Sequence, residues 1–419
     1  MLDFKIKSNE VSKIGNFNAK EKEFRLQNLD NFNRNGFPNK RSEDWKFSDL
    51  REIVSKNFKK LDLKSVKNDV QTVDFIKEFD HNFIIIINGE LTSSSFKFEE
   101  KNKIKVQTYQ NNNFKKKQED NPLISLNHAL SDKGYFLEIE ENYKFKKVLV
   151  IYNVYTNNLN ENILNCKNKI KLGKNSELHT LEYIINHSKK NFFNNIYENV
   201  ILEESASYKN ISVHNEKSSG YFHKFSRNKL DKSSSYKCFI FPSGLKFNKL
   251  DLEFDLNGEK SECNLQAASY SDQDDHQEIK TRINHLAPNC RSFQKVKNVL
   301  NAESKGIYQG KIFVKDIAQK TDAYQLSKAI LLNDNSEFNS KPELEIYADD
   351  VKCSHGSSSG SIDENSIFYL MSRGLSRKES LLLLINGFLS EVIDEIKNNK
   401  IKNFIASKLE KQLYGYKKH

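Results

Sequence analysis

The alternation of apolar and polar positions changes character twice along this chain of 419 residues. Residues 1 to about 60 are polar with a helical period, which is clearest near Asn18–Phe32. From about 134 to 350, short β-favouring runs follow one another, and beyond Ser361 the helical period returns. The pattern predicts an N-terminal helical and mixed region at 1–133, a β core at 134–360 and a C-terminal helical domain at 361–419.

The β core consists of many short runs without a helix between them. Roughly 200 residues of such runs exceed an ordinary β-sandwich, whereas a solenoid stacks strands turn upon turn and grows without that limit. No strict residue-level repeat is visible. The sequence predicts a mainly β fold with a β-solenoid core, whose strands include Val148–Val154, Ile163–Leu172, Glu177–Ile185, Tyr197–Leu202, Tyr208–Val213, Tyr221–Phe225, Tyr236–Phe241, Leu250–Leu256, Ile279–Leu286, Ser292–Leu300, Gly306–Val314, Asp322–Leu331 and Leu344–Tyr347.

The N-terminal region mixes helical segments with one apolar run. Phe83–Ile87 predicts a buried strand, and Leu123–Leu130 predicts a short helix. Ser42 followed by acidic residues predicts a capped helix start, and we expect Trp45 in that helix to be a packing anchor. The lysine- and asparagine-rich stretch 97–121 predicts a loop or linker.

The C-terminal region predicts three helices. The first, Asp363–Arg373, is closed by Gly374, and the second begins with a capping box formed by Ser376 and Glu379. The second helix is apolar on more than one face, so it must be covered on several sides, and part of it is a candidate docking surface. Its apolar positions are Leu381, Leu382, Leu384, Ile385, Phe388, Leu389, Val392, Ile393 and Ile396, and those of the last helix are Ile401, Ile405, Leu409 and Leu413.

Charge and cysteine content narrow the function classes. The formal charge of +10 invites an anionic partner, but the basic residues are spread along the chain and are not interleaved with stacking aromatics. Five cysteines without CxxC spacing favour a reducing compartment. The N-terminus lacks the apolar segment of a signal peptide, and no apolar run approaches the roughly 18 residues of a spanning helix. We expect a soluble cytoplasmic protein that binds neither nucleic acid nor a membrane.

Most sequence signatures of catalysis are missing. The phosphate-binding patterns GxxxxGK[ST] and GxGxxG do not occur, and neither does HExxH. Asp272, Asp274, Asp275 and His276 form an acidic run that could bind a cation, although such a run is more often a solvated turn.

The stretch Glu343–Gly360 holds the clearest candidate chemistry. It begins as an alternating strand, presents Cys353 and His355 two positions apart, and ends in a Gly/Ser-rich sequence that predicts a turn. Residues i and i+2 of a strand share a face, so the thiol and the imidazole would lie side by side. Asp349 and Asp350 are adjacent and would point to opposite faces, which argues against a carboxylate pair.

Cys353 and His355 allow two interpretations. Sulfur and imidazole are the soft ligands that an Fe–S cluster or zinc prefers, but two ligands cannot complete a tetrahedral site. Further ligands would have to come from another strand or another subunit. The alternative is that Cys353 is a small buried hydrophobic residue without a role in binding.

Six segments resemble one known family, the SufB/SufD proteins. The resemblance covers most of the chain, is dense from about 275 to 395 and is thin over 50–130. The matching segments are Arg41–Leu50, Arg282–Cys290, Ser304–Ile312, Gln319–Gln325, Ala348–Gly356 and Phe368–Leu375.

Two positions distinguish the branches of this family. Where SufB carries the cysteine on which a nascent cluster is built, this chain has Leu326. Where SufB has an acidic residue after the histidine, this chain has Gly356 after His355. The chain therefore resembles the SufD branch.

The resemblance implies a fold and a function. The implied fold is a right-handed parallel β-helix with helical N- and C-terminal parts. The implied function is that of a non-catalytic scaffold that pairs with SufB through the β-helix, binds the ABC-type ATPase SufC, and shares a transient Fe–S cluster with SufB. No nucleotide is expected on this chain. Flavin binding to the complex, and a homodimer formed when SufB is absent, stay open.

The resemblance also implies site residues. His355 aligns with the family histidine that is thought to hold the nascent cluster at the SufB–SufD interface, with Cys353 beside it. The SufB-interface candidates are Tyr347, Val351 and His355, and the SufC-docking candidates are Phe368, Arg373, Leu381, Leu384 and Phe388.

A rival interpretation is a carbohydrate-active or ligand-binding β-solenoid. Such a protein would need carboxylates or stacking aromatics clustered along one face of the solenoid. The acidic residues of this chain are dispersed, and its C-terminal helix is unusually apolar. Both features argue against the rival.

Overall fold

The chain folds as a β-solenoid of about eight turns, which confirms the predicted mainly β fold. The computed structural model describes residues 4–64, 66, 73–109, 121–214 and 218–415. Within these ranges the first strands are β1 (Asn82–Ile87), β2 (Glu90–Ser95), β3 (Ile104–Thr108), β4 (Tyr135–Ile139), β5 (Leu149–Tyr155), β6 (Ile163–Leu172), β7 (Glu177–Asn186), β8 (Phe192–Leu202), β9 (Ser207–His214) and β10 (Ser218–Leu230). They are followed by β11 (Ser235–Phe241), β12 (Leu245–Leu256), β13 (Glu262–Ser271), β14 (His276–His285), β15 (Arg291–Leu300), β16 (Lys305–Val314), β17 (Thr321–Leu331), β18 (Glu337–Ile346) and β19 (Val351–Gly360).

From β4 onward, successive strands alternate between two sheets. Sheet I has the order β2-β1-β5-β7-β9-β11-β13-β15-β17-β19, and sheet II has the order β3-β4-β6-β8-β10-β12-β14-β16-β18. The strand pairs are parallel except β1–β2 and β3–β4. Apolar side chains from both sheets, such as Leu149, Leu178, Leu256 and Ile283, fill the space between them.

A backbone repeat at one corner of the solenoid replaces the missing sequence repeat. Once per coil a residue takes a positive φ, and its N–H donates to a carbonyl oxygen of the next coil. Lys260 N bonds Pro288 O at 3.2 Å, and Asn289 N bonds Gln319 O at 2.9 Å. Residues with other side chains serve equally because the bond uses only backbone atoms. The corner residues are Asn142, Asn175, Ser205, Ser233, Lys260, Asn289 and Lys320.

Helices cover one part of each sheet. The N-terminal helices are α1 (Asn9–Ile14), α2 (Ala19–Asn35), α3 (Leu50–Asn57) and α4 (Pro122–Leu130). They pack with Trp45 against aromatic residues of sheet II, including Phe193, Tyr221 and Phe247. Trp45 is 1% exposed, so its predicted role as a packing anchor is confirmed.

The C-terminal helices are α5 (Glu364–Ser372), α6 (Arg377–Ile393) and α7 (Asn399–Gly415). The predicted capping box is present, because the Ser376 side chain accepts from Glu379 N while the Glu379 carboxylate accepts from Ser376 N. The α6 helix packs on β13 and β15 of sheet I. Among the described residues, no helix is both long enough and apolar enough to cross a membrane.

Three local predictions were wrong, each because distant contacts decide the local structure. Ser42 precedes only a short 3-10 turn, Glu43–Trp45, and the α-helix begins later, after Asp49. Part of the predicted linker 97–121 is β3, which pairs with β4; residues 110–120 lie outside the described ranges. The Gly/Ser-rich end of Glu343–Gly360 is a strand, because β17 supplies its hydrogen-bonding partners. The three predicted region boundaries stay predictions, although β1–β3 belong to the two sheets.

Residues Glu43–Ser48 form a strap across the outer face of sheet II. The Trp45 ring lies 5.6 Å from the His223 ring on β10 and 4.7 Å from Lys249 Nζ on β12. Asp44 pairs with Lys280 on β14, and Glu43 pairs with Lys341 on β18. The strap therefore ties together strands that are far apart in the sheet.

A buried carboxylate lies under the strap. Glu278 is fully buried on β14, where Lys249 Nζ and Gln309 Nε2 donate to its Oε1 and Ser48 Oγ donates to its Oε2. Burial alone would raise the pKa of Glu278, but the Lys249 ammonium and the hydrogen bonds hold it at about 2. The strap and the solenoid thus satisfy this charge completely from within the chain.

Candidate functional site at the open end of the solenoid

The last coil leaves two strands with an unpaired edge. β18 ends sheet II and β19 ends sheet I, so among the described strands each has a neighbour on one side only. Residues Ser357–Gly360 of β19 are exposed and carry only small side chains. An exposed strand edge without bulky or charged protection is a ready template for pairing with another strand.

Cys353 and His355 lie on β19, pointing to the same side of the strand. Cys353 is the in-register neighbour of Ala323 on β17, and His355 is the neighbour of Gln325. Cys353 packs beside Ala323 and Val314 in a small apolar cluster. Strand alternation therefore directs His355, like Cys353, toward the interior side at the open end of the solenoid.

The two candidate ligands differ in exposure. Cys353 is half-buried, and burial together with the nearby Asp322 carboxylate raises the pKa of its thiol. His355 is exposed and makes no hydrogen bond within the described part of the chain. Cys353 is thus mostly a neutral thiol near neutral pH, whereas His355 has an imidazole free to bind a ligand.

The described residues contain no group of three or more His, Cys, Asp and Glu side chains that could hold a metal ion. The acidic run that begins at Asp272 is a corner of the solenoid. Asp272 Oδ1 accepts hydrogen bonds from Gln273 N and Asn301 Nδ2, and His276 lies against the strap. These contacts account for the run without a cation.

Gly356–Gly360 reads G-S-S-S-G, which fits the G-x-S-x-G pattern of hydrolase nucleophile elbows. An elbow needs a sharp turn from a strand into a helix, with the middle serine at the turn. Here the five residues continue the extended strand β19. The pattern therefore has no elbow geometry and does not indicate a hydrolase.

Apolar side chains surround the open end. Tyr347, one of the predicted interface residues, is 62% exposed and directly follows β18; Ile346 is 38% exposed, and Ile317 of the preceding coil is 55% exposed. Val351, another of the three predicted interface residues, is half-buried in the Cys353 cluster. Ile317 was not among the predicted interface residues, and Ile346 was predicted only as part of the strand Leu344–Tyr347.

A second apolar surface lies on the C-terminal helices. Phe368 is 73% exposed, Tyr369 57% and Met371 41% on α5, and Leu383 is 51% exposed on α6. Of these only Phe368 was among the predicted docking residues. Arg373, another of them, lies over the Tyr369 ring at 5.3 Å. We call Phe368, Tyr369, Met371 and Leu383 the α5–α6 patch.

The other predicted docking residues are partly covered by the chain itself. Leu381 and Phe388 pack against the apolar cluster shared by α6 and sheet I, and Leu384 is half-buried. Phe388 is held by Lys297 of β15, whose Nζ lies 4.3 Å from the ring centroid and donates to Phe388 O at 2.9 Å. Lys297 also pairs with Glu391 at 2.5 Å. A buried lysine thus anchors α6 to the solenoid.

Comparisons with known proteins identify one family. The family model described as "SUF system FeS cluster assembly, SufBD core domain" matches residues 154–388, more than half of the chain. The iron-sulfur cluster assembly protein SufD of Escherichia coli is 22% identical over 401 residues, which cover 93% of this chain and 92% of that protein.

Two further relatives match over shorter stretches. The SufBD family protein slr0076 of Synechocystis is 30% identical over 209 residues, 49% of this chain and 45% of the relative. The chloroplastic protein ABCI7 of Arabidopsis thaliana is 37% identical over 105 residues, 25% of this chain and 22% of the relative. The resemblance predicted from the sequence is confirmed: the chain belongs to the SufBD family of SUF-system Fe–S cluster assembly proteins and is a homologue of SufD.

Proposed function

We propose that this chain is a non-catalytic scaffold subunit that pairs with a SufB partner through the open end of its solenoid. The observation that carries this proposal is the position of His355, a metal-ligand side chain without a partner in the described chain, on a strand whose outer edge is unpaired. A parallel strand edge and the exposed Tyr347 and Ile346 give the partner both hydrogen-bonding groups and apolar area.

The partner must complete the ligand set. His355 and Cys353 supply at most two ligands, and Leu326 stands where the SufB branch has a cysteine. A cluster assembled here as cargo would therefore be shared between subunits. His355 is the stronger ligand candidate, because its imidazole is exposed while the Cys353 thiol has a raised pKa.

The α5–α6 patch is the proposed docking surface for the ATPase SufC. Four large apolar side chains exposed together on α5 and α6 are unusual for a surface without a partner. Closure of two SufC subunits on ATP binding would pull on α6, and Lys297 would pass that force to β15, two strands from β19. The strain would open the interface near His355 to iron. We place this assembly in the cytoplasm.

The test is His355→Ala in the chain coexpressed with SufB and SufC. We expect the complex to assemble as before, while iron and acid-labile sulfide per complex fall by at least about tenfold, as loss of a metal ligand predicts. His179→Ala is the matched control, because His179 is an exposed histidine of sheet I far from the open end. Unchanged cluster yield in His355→Ala would overturn the ligand role.

A further inference from the structure

Directly beneath His355, the interior of the solenoid is polar. Gln294 on β15, Gln325 on β17 and His355 on β19 are in-register neighbours along one inward-facing column. Gln294 and Gln325 are both fully buried. Leu265 occupies the preceding position of the same column, so an apolar side chain also fits there. The stacking of strands does not itself require these two amides.

The Gln325 side chain is held from both sides. Its Nε2 donates to Glu343 O on β18 at 3.3 Å, and its Oε1 lies 3.2 Å from the Tyr308 hydroxyl on β16. Tyr308 OH also lies 3.1 Å from Gln294 Oε1. A hydroxyl has one proton to donate, so one of the two amides must present its NH2 group to Tyr308.

The hydrogen-bond network shows which amide does so. Gln325 Nε2 already has Glu343 O as its acceptor, whereas Gln294 Nε2 has no partner among the described residues. Gln294 therefore turns its NH2 group to Tyr308 and to Thr281 Oγ1, which lies 2.5 Å from the same amide atom. Tyr308 donates to Gln325. The result is a directed chain of hydrogen bonds from Gln294 through Tyr308 and Gln325 to Glu343 O, linking the two sheets at the open end.

Gly310 leaves room for this arrangement. A Cβ at position 310 would lie under 3.0 Å from both Gln325 Oε1 and Tyr308 OH. Glycine weakens the interior of a strand, so its presence in β16 marks a place where other groups approach closely. The close approach here is the contact between Tyr308 and Gln325.

We propose that Gln325 is a positioning residue for His355, and this inference rests on the proposed role of His355 as a cluster ligand. Neighbouring positions in a parallel ladder are about 4.8 Å apart, so the fixed Gln325 side chain is the floor on which the imidazole lies. Because the Gln325 side chain is held at both of its amide atoms, it restricts the rotamers of His355 and keeps the imidazole ring directed toward the partner. Burying an amide costs free energy unless it is hydrogen-bonded, and both amide atoms of Gln325 meet that condition, whereas one amide atom of Gln294 has no partner among the described residues.

The test uses the full chain with 13C-labelled histidine. His355→Ala identifies the His355 imidazole signal, and Gln325→Met and Gly310→Ala then remove or displace the floor. We expect both variants to shift or broaden that signal and, in the complex with SufB and SufC, to lower bound iron by about tenfold. Tyr308→Phe removes one hydroxyl only, keeps the ring volume and should shift the signal in the same direction.

Asn210→Leu is the control. Asn210 is a buried amide of the same column, four strands from Gln325 and therefore about 19 Å away. It should leave the His355 signal unchanged. A Gln325→Met or Tyr308→Phe protein with an unaltered His355 signal would overturn the positioning role. If only the cluster role of His355 is wrong, His355→Ala keeps its iron while the signal of His355 still responds to Gln325→Met.

Discussion

The strap network (Ser48, Lys249, Glu278 and Gln309) and the open end of the solenoid differ in how their polar side chains are hydrogen-bonded. Under the strap, Glu278 and Lys249 are fully buried, and every oxygen of Glu278 accepts a hydrogen bond. At the open end, His355 is exposed and has no hydrogen bond within the described chain. The difference distinguishes a region whose polar groups are satisfied within the chain from the one that we propose a partner completes.

Burial explains why the charges of the strap network must be satisfied within the chain. A charge taken out of water costs several kcal/mol unless a partner and hydrogen bonds compensate it. Glu278 therefore collects donors from the strap, from β12 and from β16. The His355 side chain is exposed to solvent and carries no such cost, so it needs no hydrogen-bonding partner within the chain.

The largest expected effect is on the strap network. Glu278→Ala removes the carboxylate nearest to the buried Lys249 ammonium and leaves it with the Asp251 carboxylate at 3.4 Å and Asp44 O at 2.9 Å. The substitution should lower the free energy of unfolding by about 3–5 kcal/mol. Glu337→Ala is the control, because the Glu337–Lys305 pair at 2.8 Å is about half exposed and should contribute less than about 1 kcal/mol. Urea unfolding of both variants measures the difference; equal losses would contradict the distinction between the two regions.

A smaller effect should appear in the pH dependence of the free energy of unfolding. The pKa of Glu278 is lowered in the fold from 4.5 to about 2, so its contribution is present above pH 4.5 and is lost as the pH falls toward 2. The loss should be on the order of 3 kcal/mol. Glu278→Gln should flatten the stability curve over this range, measured by urea unfolding at a series of pH values. A parallel curve in the variant would show that other groups dominate acid unfolding.

The smallest effect on stability should come from the α5–α6 patch. Phe368→Ser replaces a side chain that is 73% exposed, so the free energy of unfolding should change by less than about 0.5 kcal/mol. The same substitution should abolish copurification of SufC. Ser372→Ala is the control, because Ser372 is an exposed small residue of the same helix. Retention of SufC by Phe368→Ser would exclude the patch as its docking surface.

Sequence patterns correctly predicted the elements whose structure depends on residues close by in the sequence. The capping box at Ser376 and the helix stop at Gly374, with φ 96°, follow from residues within one turn. The Gly/Ser-rich strand after Gly356 could not be predicted in this way, because its hydrogen bonds come from β17, about 30 residues earlier.

The strap network was invisible for the same reason. Ser48, Lys249, Glu278 and Gln309 are spread over more than 250 residues, and none stands in a pattern that marks a buried charge. For the open end, strand periodicity was enough to place Cys353 and His355 on one face. The polar floor at Gln325 depends on the register of three coils, and only the fold supplies that register.

The backbone repeat at the solenoid corner makes the coils equivalent to one another at that corner. Each coil advances the stack by about 4.8 Å and asks of its corner only a residue that tolerates a positive φ. The corner therefore does not itself limit the number of coils. The two strands between α6 and the open edge are different: inserting a coil there would move His355 about 5 Å away from the helices. The strap contacts strands from β10 to β18, so a coil inserted among them would break its contacts. Length variation among relatives should accordingly fall before β10.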